Sequence, residues 1–148
     1  MQQSSDRPWR NFYGRRQGKA LRPGQVLHME GTLPALSLPG VTWEDNPDRT
    51  PLDLAQVFGR KAPRTLEIGF GSGEHLLAKA TAEPDADFLG CEPFLNGVAA
   101  FVPRIDKAGL TNVRLHHGDA PQLLDALPDQ ALPRPYLLHP DPPPQKKH

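Results

Sequence analysis

The chain has 148 residues, with 17 lysines and arginines against 17 aspartates and glutamates, for a formal net charge of zero. That length fits one domain with one core, and neutrality excludes a global charge-driven pull toward nucleic acid or membrane. The single cysteine, Cys91, excludes an intramolecular disulfide and fits a reducing compartment. The N-terminus lacks the apolar centre of a signal peptide and no run reaches membrane-spanning length, so a soluble cytoplasmic protein is expected.

Charge and proline are unevenly placed. Residues 1–30 carry six cations, Arg7, Arg10, Arg15, Arg16, Lys19 and Arg22, against two acids, Asp6 and Glu30. Trp9, Phe12 and Tyr13 are interleaved with them, the pattern that suits phosphate contact plus base stacking. Composition alone slightly favours a solvated tail. Low hydrophobic periodicity makes residues 1–25 a flexible arm. The 18 prolines exceed the usual ~5% share and point to irregular segments at both ends. Pro34, Pro39, Pro47 and Pro51 exclude a long helix over most of 26–62. A short helix is expected from Pro51, as first helical residue, to Phe58, closed by Gly59.

The stretch from Arg64 to His75 organises the rest. Thr65, Leu66 and Ile68 read as a buried strand. Gly69, Gly71 and Gly73 open the backbone, and Leu76, Leu77 and Ala80 then recur at helical spacing. A helix starting on such a turn aims its first amides at whatever the turn holds. The spacing is G-x-G-x-G rather than the dinucleotide G-x-G-x-x-G, and Glu67 precedes the first glycine by two residues. A carboxylate there suits a ligand with a cationic amino-acid part, such as S-adenosylmethionine. The plain alternative is a strand-to-helix turn that needs glycine and binds nothing.

The pattern then repeats. A second strand is expected over 87–92, a second helix over 94–107 kinked at Pro103, and a third strand over 113–117. A short third helix marked by Leu123, Leu124 and Leu127 follows, then a fourth strand over 135–139. Strands alternating with helices make a parallel sheet, here in the order third, second, first, fourth, with helices on both faces. Ligands of such sheets bind outside the carboxyl ends of the strands. Glu67, Glu92, Asp119 and Asp141 all fall at or near those ends. Glu92 is placed to accept two ribose hydroxyls, Asp119 the adenine amino group, and Glu67 and Asp141 to face the ammonium and sulfonium of the cofactor.

Other polar residues carry less. His75 has no second histidine four residues on, so no H-E-x-x-H zinc site exists, and no metal is expected. His116 and His117 point to opposite faces of a strand, a poor chelate. Cys91 sits beside an acid that raises its pKa, which suits packing rather than nucleophilic attack.

These stretches resemble the bacterial tRNA (guanine-N(7)-)-methyltransferase family, Rossmann-like S-adenosylmethionine-dependent enzymes. The resemblance is carried by residues 12–18 (FYGRRQG), 66–75 (LEIGFGSGEH), 90–98 (GCEPFLNGV), 117–120 (HGDA) and 136–142 (YLLHPDP). It implies that Glu67, Gly69, Gly71, Gly73, Glu92, Asp119 and Asp141 contact the cofactor, with Asp141 also the catalytic-site acid. It implies tRNA as substrate, met by Arg15, Arg16 and the position of Gln145. Residues 1–50 are then a basic, partly disordered extension, and 51–148 the N-terminal part of the methyltransferase domain. The family continues Pro-Asp-Pro with Trp-Pro-Lys-Lys-Arg-His, whereas this chain reads Pro143-Pro144-Gln145-Lys146-Lys147-His148. Gln145 stands where the family has a substrate-contacting lysine. The resemblance covers about the first two-thirds of the family's length, without its Thr-x-x-Glu segment, so a weak or inactive catalyst is expected. The two other readings are an inactive cofactor- or RNA-binding fragment and a nicotinamide-dinucleotide-binding domain.

Overall fold

The computed structural model describes residues 18–128 together with the backbone of 137–138. Its elements run α1 (Pro23–Gly31), α2 (Leu33–Leu36), α3 (Leu54–Phe58), β1 (Arg64–Ile68), α4 (Glu74–Ala82), β2 (Asp87–Cys91), α5 (Leu95–Ala108), β3 (Val113–His116), α6 (Ala120–Ala126) and β4 (Leu137–Leu138). The sheet has the order β3-β2-β1-β4 and every pairing is parallel. This is the order expected from the sequence, with Glu67 opposite Gly90 on one side and Leu137 on the other.

Alternation along the strands sorts side chains between two apolar layers. Phe88, Val113 and Leu115 face a layer with Met29, Leu33, Leu76, Val98, Phe101 and Ile105, which α1, α2, α4 and α5 supply. Leu66, Leu89 and Cys91 face the other, built from Leu38, Val41, Leu52, Leu54 and Leu123. Helices thus cover both faces, as a parallel sheet requires.

Two sequence expectations change. Within the 26–62 segment read as loosely patterned, and reaching back into the arm, α1 and α2 form. Their prolines sit in first turns, where a missing N–H costs nothing. Met29, Leu33 and Leu36 then enter the core, so part of the expected 1–50 extension is built into the domain. Second, the helix expected from Pro51 starts at Leu54. The Leu52 amide donates to the Ala126 carbonyl, and Asp53, with extended backbone, caps the helix by accepting from the Gln56 amide. Its stop at left-handed Gly59 is as expected. The helix expected over 94–107 forms as α5, with Pro103 inside it. The expected 135–139 strand is described only at Leu137–Leu138.

The outer edge of β3 is covered by the chain leaving α2: Ser37 bridges Leu115 in parallel, and the Leu38 amide donates to the Leu115 carbonyl. Arg49, at a φ of 54°, ties the following loop to α6. It donates to the Val41 and Gln122 carbonyls, pairs with Asp125 at 2.9 Å and lies over the Trp43 ring.

At the amino end of the sheet Asp87 is fully buried between two guanidiniums. Arg60 reaches it at 2.6 Å and Arg64 at 3.3 Å, while Arg60 also donates to the Pro84 carbonyl. Removing one partner of a buried ionic cluster leaves the others uncompensated. Asp87→Ala is therefore expected to lower unfolding free energy by about 3 kcal/mol in urea denaturation, with no change in cofactor affinity, because the cluster lies at the end of the sheet away from the glycine turn.

Candidate active site

The site grows from the turn between β1 and α4. Gly69, Gly71 and Gly73 have φ of 79°, 62° and 86°, a left-handed series that side-chain-bearing residues resist. A Cβ on Gly73 would also strike the Phe101 ring, whereas no described atom lies within 4 Å of a Cβ at Gly71. The turn is therefore packed from below by α5 and open above Gly71. The Gly69 amide donates to the Cys91 carbonyl at 2.7 Å, which extends the β1–β2 ladder into the turn.

Glu92 follows β2 and is buried. One carboxylate oxygen accepts from the Gly71 amide at 2.7 Å and the other from the Phe94 amide at 3.0 Å. These are charge-assisted bonds that join the glycine turn to the entry of α5. A carboxylate pair offers about four lone-pair sites, so two hydroxyls can still be accepted. Gly97 is the complementary element that the sequence reading passed over. A Cβ there would collide with the Gly71 carbonyl, so only glycine lets α5 approach the turn. The signal was present in the 90–98 stretch, whose Asn96 and Gly97 were quoted without a role.

Beyond β2 and β3 the two chains stay paired. The Glu92 amide donates to the His116 carbonyl and the Gly118 amide to the Glu92 carbonyl. This sets Asp119, half-buried at the start of α6, on the same edge. Its charge acts on both Cys91 and His116. Glu67 is the penultimate residue of β1, near its carboxyl end, is 2% exposed, and pairs with His75 Nδ1 at 2.9 Å. Glu74 begins α4; the Ser72 hydroxyl, its own backbone amide and Arg104 hold its carboxyl below the usual range. The structure thus gathers Glu67, Gly69, Gly71, Gly73, Glu92 and Asp119 around one edge. Arg15, Arg16, Asp141 and Gln145 lie outside the described residues.

Buried groups under this edge are held neutral. Burial, then Glu92 and Asp119, push the Cys91 thiol up to about 12, and its sulfur donates to the Gly118 carbonyl. That agrees with packing rather than nucleophilic use. Among the described residues no group of three or more His, Cys, Asp and Glu could hold a metal, and no helix is long and apolar enough to cross a membrane.

A parallel sheet in this order, with a three-glycine turn after β1 and a buried carboxylate after β2, defines a Rossmann-like α/β domain. Comparison supplies the family. The profile of a family described as "Putative methyltransferase" matches residues 61–148, and the chain belongs to that family, whose chemistry calls for a methyl-donor cofactor. It is 50% identical to the tRNA (guanine-N(7)-)-methyltransferase of Ruegeria sp. (strain TM1040), over 98% of this chain and 56% of that one. The enzyme of the same name from Roseobacter denitrificans (strain ATCC 33942 / OCh 114) is 49% identical over 96% of this chain and 60% of the relative. That of Zymomonas mobilis subsp. mobilis (strain ATCC 31821 / ZM4 / CP4) is 48% identical over 94% and 57%. The chain therefore spans 56% to 60% of these relatives' length.

His116 and His117 give the site a pH dependence. Burial is the main cause that lowers each to about 4; Asp119 opposes it at His116, and the Pro93 carbonyl opposes it at His117. Both are neutral in the folded chain at pH 7, while an unfolded histidine titrates near 6.5. Between pH 6.5 and about 4 the unfolded state binds more protons, so stability falls as pH falls and levels off below 4. The loss is expected to reach on the order of 3 kcal/mol per histidine. Urea midpoints across that range check it, and His117→Asn should flatten the curve.

Proposed function

We propose that this chain is a tRNA (guanine-N(7)-)-methyltransferase, with S-adenosylmethionine as methyl donor, N(7) of a guanosine in tRNA as acceptor, and the cytoplasm as its setting. The observation that carries the reading is the bond from the Gly71 amide to the Glu92 carboxylate. It puts an acid at the mouth of the glycine turn and takes up the Gly71 amide that a phosphate would otherwise use. Glu67, Glu74, Glu92 and Asp119 give this edge a negative character that suits a cationic ligand and repels a pyrophosphate. The names of relatives near 50% identity support the RNA substrate.

The residues fit the donor. Glu92 would accept the ribose hydroxyls, Asp119 the adenine amino group, and Glu67 and Asp141 would face the ammonium and sulfonium. Bound S-adenosylmethionine supplies an electrophilic methyl group. Guanine N(7) already presents a lone pair, so no general base is needed to remove a proton. The chain's work is alignment, the exclusion of water from the edge, and stabilisation of the cationic methylated base by a carboxylate, the role assigned to Asp141. Arg15 and Arg16 would hold RNA phosphates, and Gln145 would stand at the substrate side.

Calorimetric titration tests the cofactor. Binding of S-adenosylmethionine is expected, and Glu92→Ala should weaken it by roughly 1.5–3 kcal/mol, the range for a hydrogen bond to a charged group. Label transferred from methyl-labelled cofactor to unmodified tRNA, and absent from tRNA carrying 7-deazaguanosine, identifies the acceptor atom. Binding of a nicotinamide dinucleotide in place of S-adenosylmethionine would overturn the reading.

The arm has its own test. Arg15→Ala with Arg16→Ala should lower tRNA affinity and reduce the slope of log affinity against log salt by about 0.7–0.9 per lost phosphate contact. An unchanged slope would reduce the arm to a solvated tail.

A further inference from the structure

We infer that Asn96 is a positioning residue: its side-chain amide docks the root of the basic N-terminal arm beside the cofactor turn and so fixes where the arm presents RNA. The RNA half of this inference rests on the methyltransferase reading; the docking half rests on geometry alone.

Asn96 is the second residue of α5. Its Oδ1 accepts from the Gly18 amide, and its Nδ2 donates to the Lys19 carbonyl at 2.8 Å. One amide thus grips two consecutive backbone groups more than seventy residues away in sequence, which sets direction as well as place. Aspartate lacks the donor and leucine lacks both groups. Gly18 lies against the half-exposed Phe94 ring. A Cβ on it would come within 3.2 Å of Phe94 Cζ and 3.3 Å of Asn96 Oδ1, closer than side chains ordinarily pack. The arm is therefore seated with a fit that favours glycine.

The seat belongs to the structure that holds the turn. The Phe94 amide donates to Glu92, Glu92 accepts from Gly71, and Gly97 lies against the Gly71 carbonyl. Glu92, Phe94, Asn96 and Gly97 form one short segment that grips the glycine turn on one side and the arm on the other. In the sequence, Arg15 and Arg16, the cations read as RNA contacts, closely precede this seat.

The experiment uses Asn96→Ala, Gly18→Val and the double variant in the full chain. The bond after Lys19 is a trypsin site whose carbonyl Asn96 holds, so its cleavage, followed by mass, reports docking directly. Both single variants should be cut roughly fivefold faster, since proteolysis follows local opening. Both should bind tRNA about tenfold more weakly, the effect of two lost hydrogen bonds. S-adenosylmethionine affinity and thermal midpoint should hold, and the double variant should add little because one contact is removed twice. Asn96→Asp, which keeps only the acceptor, should fall between. Unchanged cleavage in Asn96→Ala would overturn the docking, and faster cleavage with unchanged tRNA affinity would overturn the positioning role. A wild-type chain that bound no S-adenosylmethionine or tRNA would instead sink the functional reading, and the cleavage rate would still decide the docking.

Discussion

The fold at its working edge depends on one carboxylate. Glu92 is buried and accepts from the amides of Gly71 and Phe94, so it fastens the turn after β1 to the turn after β2. A left-handed glycine series has few intrinsic reasons to hold one shape, because glycine loses more conformational freedom on ordering than any other residue. Here the shape is imposed from outside by Glu92, by Phe101 beneath Gly73, and by α5, which approaches closely because Gly97 has no Cβ. The turn is preorganised by its neighbours rather than by its own propensity.

The two ends of the sheet have different work. At the amino end, Asp87 is matched by Arg60 and Arg64, and Asn112 spends its side-chain donors on the Ala80, Glu83 and Ala86 carbonyls. Those contacts close the molecule. At the carboxyl end, acids gather around a helix start, where the helix dipole favours negative charge. The neutral thiol and imidazoles of Cys91, His116 and His117 lie under that edge and keep it apolar beneath the carboxylates.

Much of this was legible in the amino-acid order. Alternation of apolar strands with amphipathic helices fixed a parallel sheet, and β3-β2-β1-β4 is the order that reading expects. Glycine spacing marked the turn because glycine takes those left-handed dihedrals without the steric cost of a Cβ. The acids Glu67, Glu92 and Asp119 were singled out by their place at or near strand ends, where the structure has them, and the resemblance of the 66–75 and 90–98 stretches pointed to the family that the profile over 61–148 supports.

Contacts between residues distant in sequence could be settled only by the tertiary structure. No helix was expected over 23–36, yet the short helices α1 and α2 form, because their prolines fall in first turns and Met29, Leu33 and Leu36 find a core to enter. The start of α3 moved from Pro51 to Leu54 because Leu52 bonds Ala126, a partner no local pattern reveals. Glu67 was expected near a strand end and is the penultimate residue of β1, but its pairing with His75 across the turn was not foreseen. The grip of Asn96 on Gly18 and Lys19 joins residues more than seventy apart. Sequence determines which residues can form a strand, a turn or a helix, because those rules are local in period and sterics. It does not determine which distant groups meet, because that depends on how the layers pack.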